Sequence, residues 1–258
     1  MGIRRLARKL SHSIHKRLPG KGSSAGNRAI RSEVPFLVPS NPLERLFQNG
    51  DQVDVTMLPR LIRSHKWAMP EHELLTLGAL AALLKPKLVV EFGTFMGGST
   101  LAMAANIASD SRIVTIDLEP TARKTHVHGM GVGLSEFEVG CLFKGTPYES
   151  KIQQRFANSV EFTDQDLIGQ ADLVFVDADH TYEFAKRDTQ TALQLLKPNG
   201  TILWHDYTWE PENPECVGVT RAVNEFWETH GSCSQIEGTR FALHMPGIAC
   251  NSKLKSAA

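Results

Sequence analysis

The sequence lacks the features that would place it in several protein classes. No apolar run approaches the roughly 18 residues of a membrane-spanning helix. The four cysteines are widely spaced and include no Cys-x-x-Cys pair, which predicts free thiols in a reducing compartment rather than disulfides or a zinc site. The absence of a Gly-x-Gly-x-x-Gly fingerprint argues against a dinucleotide-binding enzyme. These absences leave a globular protein of ordinary composition, with 41% hydrophobic and 22% charged residues.

Acidic residues are missing from one part of the chain only. The first 31 positions contain nine Lys and Arg residues and no acid, although the net charge of the whole chain is +0. The rest of the chain therefore carries 19 basic against 28 acidic residues. Because the phosphate backbone rewards clustered cations, an acidic body is a poor general binder of nucleic acid, and we expect no such partner.

The acid-free segment has a helical period. Apolar residues recur every three or four positions through residues 3–18, and Pro19-Gly20 ends the pattern. Three interpretations stay open for this basic amphipathic helix. It is a peripheral membrane contact through residues 1–20, an organellar targeting segment of an otherwise cytoplasmic protein, or a tail that is disordered or docks a partner.

The chain divides into four predicted parts. They are a basic arm (1–31), an N-terminal helical extension (32–69), a main domain long enough to form an enzyme core (70–246) and a C-terminal tail (247–258). Apolar residues within 30–66 leave open a contact with a second copy, and hence a homo-oligomer.

Strand and helix patterns alternate from residue 70 onward. A helix is predicted over 70–84, a helix followed by a short strand over 151–163, and a helix over 217–229 before two late strands. Four apolar strands are predicted at 87–92, 112–117, 172–177 and 201–206. Apolar strands that alternate with helices indicate an α/β, Rossmann-like, doubly wound and mostly parallel sheet. We expect seven strands, of which the last is antiparallel.

The first of these strands runs into a glycine-rich turn. Glu91 closes the apolar run, Gly93 and Gly97 lie in the turn, and Ser99 begins the next helical pattern. Glycine lets a ligand approach the backbone, and a helix start offers unpaired N–H groups. An acid ahead of the first glycine would repel a pyrophosphate and favours a cationic ligand. Asp117, at the end of the next strand, can accept hydrogen bonds from both hydroxyls of a ribose.

Acids close four of the predicted strands. In such sheets ligands bind beyond the carboxyl ends of the strands, where Glu91, Asp117, Asp177 and Asp206 would meet. A single Asp there is often only a helix N-cap, but four carboxylates on one rim repel one another unless cations bind.

These motifs, in this order over about residues 70–245, resemble those of class I S-adenosylmethionine (SAM) methyltransferases. The resemblance is to the small-molecule O-methyltransferases related to catechol and macrolide-sugar enzymes. It rests on the glycine turn and on three later segments, Phe175–Glu183, Lys197–Gly200 and Leu203–Tyr207. It implies that SAM is the cofactor, with Glu91 near its methionine end, Gly93, Gly97 and Ser99 along it, and Asp117 on its ribose.

The same resemblance implies a catalytic site. Asp177 and Asp206 stand where relatives bind Mg²⁺ or another divalent metal, and His180 matches a general base of the macrolide-sugar enzymes. The pattern departs at two positions. Tyr207 stands where catechol-type enzymes have Asn, and His205 stands where macrolide-sugar-type enzymes have an acid. As a third ligand, His205 would suit a transition metal better than Mg²⁺.

The resemblance therefore predicts an enzyme that transfers a methyl group from SAM to a hydroxyl of a small polyhydroxylated acceptor. A sugar, a polyketide and a phenolic compound all satisfy this description. Loops 119–150 and 207–217 are expected to shape the acceptor pocket. Two alternatives stay open, a SAM-binding protein of the same fold with non-methylating chemistry and a non-enzymatic, membrane-associated scaffold. The absence of an Asn/Asp-Pro-Pro-Tyr/Phe motif argues against a nucleic-acid methyltransferase.

Overall fold

The computed structural model describes most of the chain between residues 36 and 246. The described ranges are 36–48, 50–61, 68–119, 138–208 and 214–246. The basic arm, the tail 247–258, much of the predicted pocket loop 119–150 and part of the loop 207–217 lie outside them.

Eight strands and five α-helices make up the described chain. In chain order they are β1 (Ser40–Asn41), α1 (Leu43–Leu46), α2 (Glu71–Leu84), β2 (Leu88–Phe92), α3 (Gly98–Asn106), β3 (Arg112–Asp117), β4 (Ile152–Phe156), β5 (Ala171–Val176), α4 (Tyr182–Leu195), β6 (Leu196–Trp204), α5 (Pro214–His230), β7 (Cys233–Ile236) and β8 (Ala242–His244). Short 3-10 helices occupy Pro59–Leu61, Glu149–Lys151 and Ser159–Glu161.

One mixed sheet contains all eight strands, in the order β1-β7-β8-β6-β5-β2-β3-β4. Strand β8 pairs antiparallel with β6 and β7, and every other pairing is parallel. The predicted doubly wound α/β fold with an antiparallel last strand is confirmed. The strand count is eight instead of seven, because Ser40–Asn41 adds a short parallel strand to the outer edge of β7.

Helices cover both faces of the sheet, as the continuous apolar strands require. One face packs on α2 and α3, through side chains such as Val89 and Leu173 of the strands. The other face packs on α4 and α5, through side chains such as Val90 and Val174. Because helices bury both faces of the sheet, the charged side chains that could take part in catalysis lie at the carboxyl ends of the strands.

Two predicted segments differ in the structure. Residues 152–156 form strand β4 rather than a helix, and a 3-10 helix at Ser159–Glu161 replaces the predicted short strand. Gln and Arg residues in this segment favour helix intrinsically, but pairing with β3 decides its conformation. The described part of the extension 32–69 contains strand β1, the four-residue helix α1 and the 3-10 helix at Pro59–Leu61.

No helix within the described ranges is long and apolar enough to cross a membrane.

Candidate active site

Glu91 is buried beneath the start of α3. Its carboxylate accepts a hydrogen bond from the Ser99 hydroxyl at 2.6 Å and another from the Thr100 hydroxyl. Burial raises the pKa of Glu91 to about 7, although both hydroxyls oppose the shift. The predicted cofactor residues Glu91 and Ser99 therefore bind each other, and Glu91 exposes no surface to a ligand in this structure.

The two glycines of the turn make room for other parts of the protein. Gly93 has φ +96° and Gly97 has φ +84°, in the left-handed region that favours glycine. A Cβ on Gly93 would overlap the backbone oxygen of Asp177, and a Cβ on Gly97 would lie 2.5 Å from the Phe143 ring. The turn therefore presses against the end of β5 and against residues 138–143. Packing within the protein accounts for these glycines, whereas the sequence interpretation attributed them to ligand approach.

Asp117 folds back onto the same turn. Its Oδ2 accepts hydrogen bonds from the N–H groups of Thr94 (3.0 Å) and Phe95 (2.7 Å), and its Oδ1 accepts one from Leu118 (2.7 Å). Its side chain stays half-buried at the rim of the sheet. The residue predicted to hold a ribose therefore also fixes the shape of the turn.

His180, Asp177 and Asp206 meet at the carboxyl ends of β5 and β6. His180 Nε2 lies 3.0 Å from Asp206 Oδ2 and 3.9 Å from Asp177 Oδ1. Side-chain exposure falls from 26% at His180 to 6% at Asp206, so the histidine is the outermost member. Burial disfavours the charged imidazole, but Asp177 and Asp206 outweigh burial and raise the pKa of His180.

His205 lies deeper, with both ring nitrogens against carboxylates. Nδ1 is 3.1 Å from Asp177 Oδ1 and 3.4 Å from Asp206 Oδ2, and Nε2 is 2.9 Å from Glu73 Oε2. Asp177 and Asp206 outweigh the opposing effect of burial and raise the pKa of His205 well above its usual value. These carboxylates therefore favour the imidazolium form of the ring, in which both nitrogens donate.

Arg240, in the turn between β7 and β8, supplies a second internal cation. Its Nη1 lies 2.5 Å from Asp206 Oδ1, and its Nη2 lies 2.9 Å from Glu73 Oε2. Burial alone would raise the pKa of Glu73, but His205 and Arg240 lower it to about 2. Repulsion between the rim carboxylates, which the sequence analysis expected bound cations to relieve, is thus offset by side chains of the chain itself.

The backbone conformation at Asp206 directs the side chains of Asp206 and Tyr207 to different places. Asp206 has φ +58°, an uncommon conformation for a residue with a side chain. Its carboxylate faces His180, while the Tyr207 ring is fully buried in the core. The Tyr207 hydroxyl accepts a hydrogen bond from the Val38 N–H (3.1 Å) and donates one to Asn224 Oδ1 (2.8 Å). Tyr207 therefore anchors the segment before β1 and offers no group to the site.

Glu73 and Arg240 are site residues that the sequence analysis missed. Glu73 lies in the first turn of a helix, where an acid is ordinarily explained by the helix dipole. Arg240 lies in a turn between two short strands, where a cation is ordinarily solvated. Only the packing of α2 and the β7–β8 turn against the strand ends brings Glu73 to His205 and Arg240 to Asp206.

One group of described side chains has the geometry of a metal site. Asp177, His180 and Asp206 each offer a ligand atom, and these atoms lie within 4.8 Å of one another. Two carboxylates with one imidazole suit a divalent transition metal better than Mg²⁺. His205, which the sequence analysis placed among the ligands, is not part of this group, because carboxylates engage both of its nitrogens.

A segment of the chain that includes these residues is similar to a known protein family. The family described as "Methyltransferase domain" matches residues 90–207, which span the glycine turn, Asp177, His180 and Asp206. Residues 90–207 are similar to this methyltransferase domain. The match confirms the resemblance to class I SAM-dependent methyltransferases that the motifs indicate.

Relatives of this methyltransferase domain include two curated proteins. Catechol O-methyltransferase domain-containing protein 1 of Mus musculus is 30% identical over 159 residues, which are 58% of this chain and 55% of that protein. Caffeoyl-CoA O-methyltransferase of Stellaria longipes is 30% identical over 131 residues, covering 49% of this chain and 48% of that enzyme. The chain thus spans about half the length of the curated relatives it matches.

A solved structure supports the fold of the domain. The O-methyltransferase TomG of Streptomyces achromogenes, involved in tomaymycin synthesis and solved in complex with SAM, superposes with a TM-score of 0.56. The alignment covers 79% of this chain and 97% of TomG at 19% sequence identity. At that identity the superposition shows the architecture alone.

Proposed function

We propose that this protein is a SAM-dependent O-methyltransferase that acts on a hydroxyl of a small acceptor such as a sugar, polyketide or phenolic compound. The observation that carries the proposal is the convergence of His180, Asp177 and Asp206 at the strand ends of a methyltransferase domain. The curated relatives are named for transfer to hydroxyls of small molecules, in agreement with this acceptor class.

SAM would bind across the carboxyl ends of β2 and β3. Asp117 is the proposed ribose ligand, since its half-buried carboxylate lies at the rim beside the glycine turn. Gly93, Gly97 and Ser99 shape the turn along which the methionine part would lie. Glu91 exposes no surface for direct contact with the cofactor. It would support the turn from below through its hydrogen bonds to Ser99 and Thr100.

His180 is the proposed general base. Methyl transfer is an in-line displacement in which the acceptor oxygen bonds to the methyl carbon as the carbon–sulfur bond of SAM breaks. The acceptor hydroxyl loses its proton, and His180 is the outermost titratable group of the cluster. Since Nε2 donates to Asp206 Oδ2 at 3.0 Å, Nδ1 is the nitrogen left to accept that proton. Much of the remaining rate enhancement would come from alignment of the reacting atoms.

A divalent metal ion at Asp177, His180 and Asp206 is the second candidate for the same site. The ligand-atom spacing within 4.8 Å favours it. Such an ion, when bound, would supply Lewis-acid chemistry that lowers the pKa of an acceptor hydroxyl. The two candidates give His180 different roles, because a metal-bound imidazole is not available as a base.

Calorimetric titration of SAM, once with excess Mn²⁺ or Mg²⁺ and once with a chelator, tests the cofactor assignment. An acceptor screen would then follow S-adenosylhomocysteine and the methylated product by mass spectrometry. We expect SAM to bind in both conditions. Turnover that persists with the chelator supports His180 as base, whereas turnover that returns only with added metal supports the metal site. Absence of SAM binding in both conditions would refute the proposed function.

Substitutions at the rim test the roles of its side chains. Asp177→Asn is expected to abolish turnover while SAM affinity stays within about threefold. His180→Gln, which can still donate to Asp206 but cannot accept a proton, should lower kcat by about 10²- to 10⁴-fold. Tyr207→Phe is the control, because Tyr207 follows Asp206 in sequence yet lies in the core. Loss of SAM affinity in Asp177→Asn would instead assign Asp177 to the cofactor site.

A further inference from the structure

Four charged side chains form a closed ring behind the rim of the sheet. Glu73 on α2 and Asp206 after β6 are bridged twice, once by His205 and once by Arg240. Glu73 Oε2 lies 2.9 Å from both His205 Nε2 and Arg240 Nη2. Asp206 lies 3.4 Å from His205 Nδ1 and 2.5 Å from Arg240 Nη1. The backbone N–H of Arg240 also donates to Glu73 Oε1 at 2.8 Å, which ties the β7–β8 turn to α2.

Stability alone gives little reason for this ring. The side chains of Glu73 and His205 are only 2% and 6% exposed. Removing charges from water costs free energy that their mutual attraction often fails to recover, so apolar side chains of similar volume would serve the fold as well. Leu74 and Leu77 on the same helix pack in this way. The ring includes the rim carboxylate Asp206 and contacts Asp177 through His205, which points instead to the chemistry at the rim.

Each cation of the ring holds one part of the proposed active site. His205 Nδ1 binds Asp177 Oδ1 at 3.1 Å, and Arg240 Nη1 binds Asp206 Oδ1. Asp206 Oδ2 is left facing His180. Glu73 is the only described carboxylate that binds His205 on one nitrogen and Arg240 on its guanidinium from outside the rim. Its loss would remove the one anchor outside the rim that both cations share.

We propose that Glu73 is a positioning residue for methyl transfer, a role that rests on the proposed function. It acts through His205 and Arg240, which in turn fix where the carboxylates of Asp177 and Asp206 lie relative to His180. Both Glu73 and Arg240 fall outside residues 90–207, so the working site extends beyond the segment that matches the methyltransferase domain.

Glu73→Gln tests this role, because it keeps the shape of the side chain and removes its charge. We expect kcat to fall by about 10- to 100-fold, since the rim carboxylates lose their fixed orientation. The KM for SAM and the SAM affinity measured by calorimetry should stay unchanged. Glu73→Asp keeps the charge and withdraws it by one methylene group. It provides the same test if the Gln variant fails to fold, and its kcat should fall between those of the wild type and Glu73→Gln.

Leu77→Val is the matched control for a purely structural effect. Leu77 lies one turn further along α2, is fully buried and contributes only to the apolar core. Its substitution should lower the melting temperature and leave kcat unchanged at temperatures where the variant is folded. A Glu73 variant that behaves like Leu77→Val, with lower stability and normal kcat, would overturn the proposal.

Nuclear magnetic resonance of the His205 ring separates this inference from the proposed function. In the wild type, slowly exchanging protons are expected on both ring nitrogens, because each nitrogen faces a carboxylate. In Glu73→Gln the Nε2 proton should exchange rapidly or disappear from the spectrum. An unchanged His205 spectrum would overturn the role of Glu73 whether or not the protein methylates an acceptor. A wild type that binds no SAM would refute the proposed function, and the His205 spectrum would still show whether Glu73 holds the ring in place.

Discussion

At the scale of single residues, Asp188 shows how burial controls the charge of a carboxyl group. Asp188 lies on α4, is fully buried, and neither of its carboxylate oxygens has a hydrogen-bond partner among the described residues. Burial raises the pKa of Asp188 to about 7, the charge of Asp179 adds to the shift, and the nearby Ser159 hydroxyl opposes it. The folded protein therefore holds this group protonated at pH values where the unfolded chain has lost the proton.

This difference makes stability depend on pH. Because the folded state binds the proton more tightly, the contribution of Asp188 is neutral below pH 4 and becomes increasingly destabilising as pH rises to about 7. The shift lowers the free energy of unfolding by at most about 4 kcal/mol above pH 7. Asp188→Asn should therefore raise the melting temperature at pH 8 and give little gain at pH 4, in thermal unfolding scans across that range.

A second aspartate gives the reference for this measurement. Asp166 is exposed, and Asp166→Asn controls for the exchange of aspartate for asparagine itself. A gain in melting temperature for Asp188→Asn that is the same at pH 4 and pH 8 would contradict the assignment of a raised pKa to Asp188.

At the scale of elements, helix α5 fixes the loop that carries His180. Gly218 lies in the first half of α5, directly against the loop between β5 and α4. A Cβ at this position would lie 2.5 Å from the Tyr182 backbone nitrogen and would overlap the backbone oxygen of His180. The absence of a side chain at Gly218 thus allows helix and loop to touch.

Gly218→Ala should therefore destabilise the protein, whereas the same exchange within a helix usually stabilises it. At an open helical position, exchanging Gly for Ala stabilises a protein by up to about 1 kcal/mol. Here we expect a lower melting temperature and a lower kcat with normal SAM affinity, because the backbone at His180 must shift. Thermal unfolding and steady-state kinetics on the same preparation provide the measurement. Higher stability together with normal kcat would show that the helix and the loop separate without cost.

At the scale of the whole molecule, the acid-free basic segment and the site residues lie in different parts of the sequence. All described site residues fall between Glu73 and Arg240, whereas the acid-free segment holds nine cations within residues 1–31. Deleting residues 1–31 is therefore expected to leave SAM affinity and kcat in solution unchanged. Calorimetry and kinetics on the full and shortened chains test this expectation, and a loss of SAM affinity would contradict it.

The same pair of proteins tests the membrane interpretation of the basic arm. Cations near an anionic surface contribute about 1 kcal/mol each, so an arm that lies on membranes should sediment the full chain with phosphatidylserine vesicles. The shortened chain, with an excess of acids, should stay in the supernatant. If neither protein sediments, the targeting and partner-docking interpretations remain for the arm.

The pattern of the sequence was enough to predict the sheet and the location of its rim. Period and composition identify buried strands such as Leu88–Phe92 and Ala171–Val176, because both faces of a parallel strand are mostly apolar. An edge strand with one neighbour has no such signature. Strand β4, with Gln153, Gln154 and Arg155, was therefore predicted as a helix.

The sequence by itself determined the fold class, the glycine turn and the acids at the strand ends, since these depend on local period and on residues close together in the chain. Only the tertiary structure decided the partners of those acids. Glu73 and His205 are 132 positions apart, and Arg240 is 34 positions from Asp206. Such pairings depend on how α2 and the β7–β8 turn pack against the sheet, and hydrophobic periodicity carries no information about which buried charges will meet. For the same reason, His205 and Tyr207 could be predicted as neighbours of the site, while their roles as a bridging cation and a core anchor emerged from the packed structure.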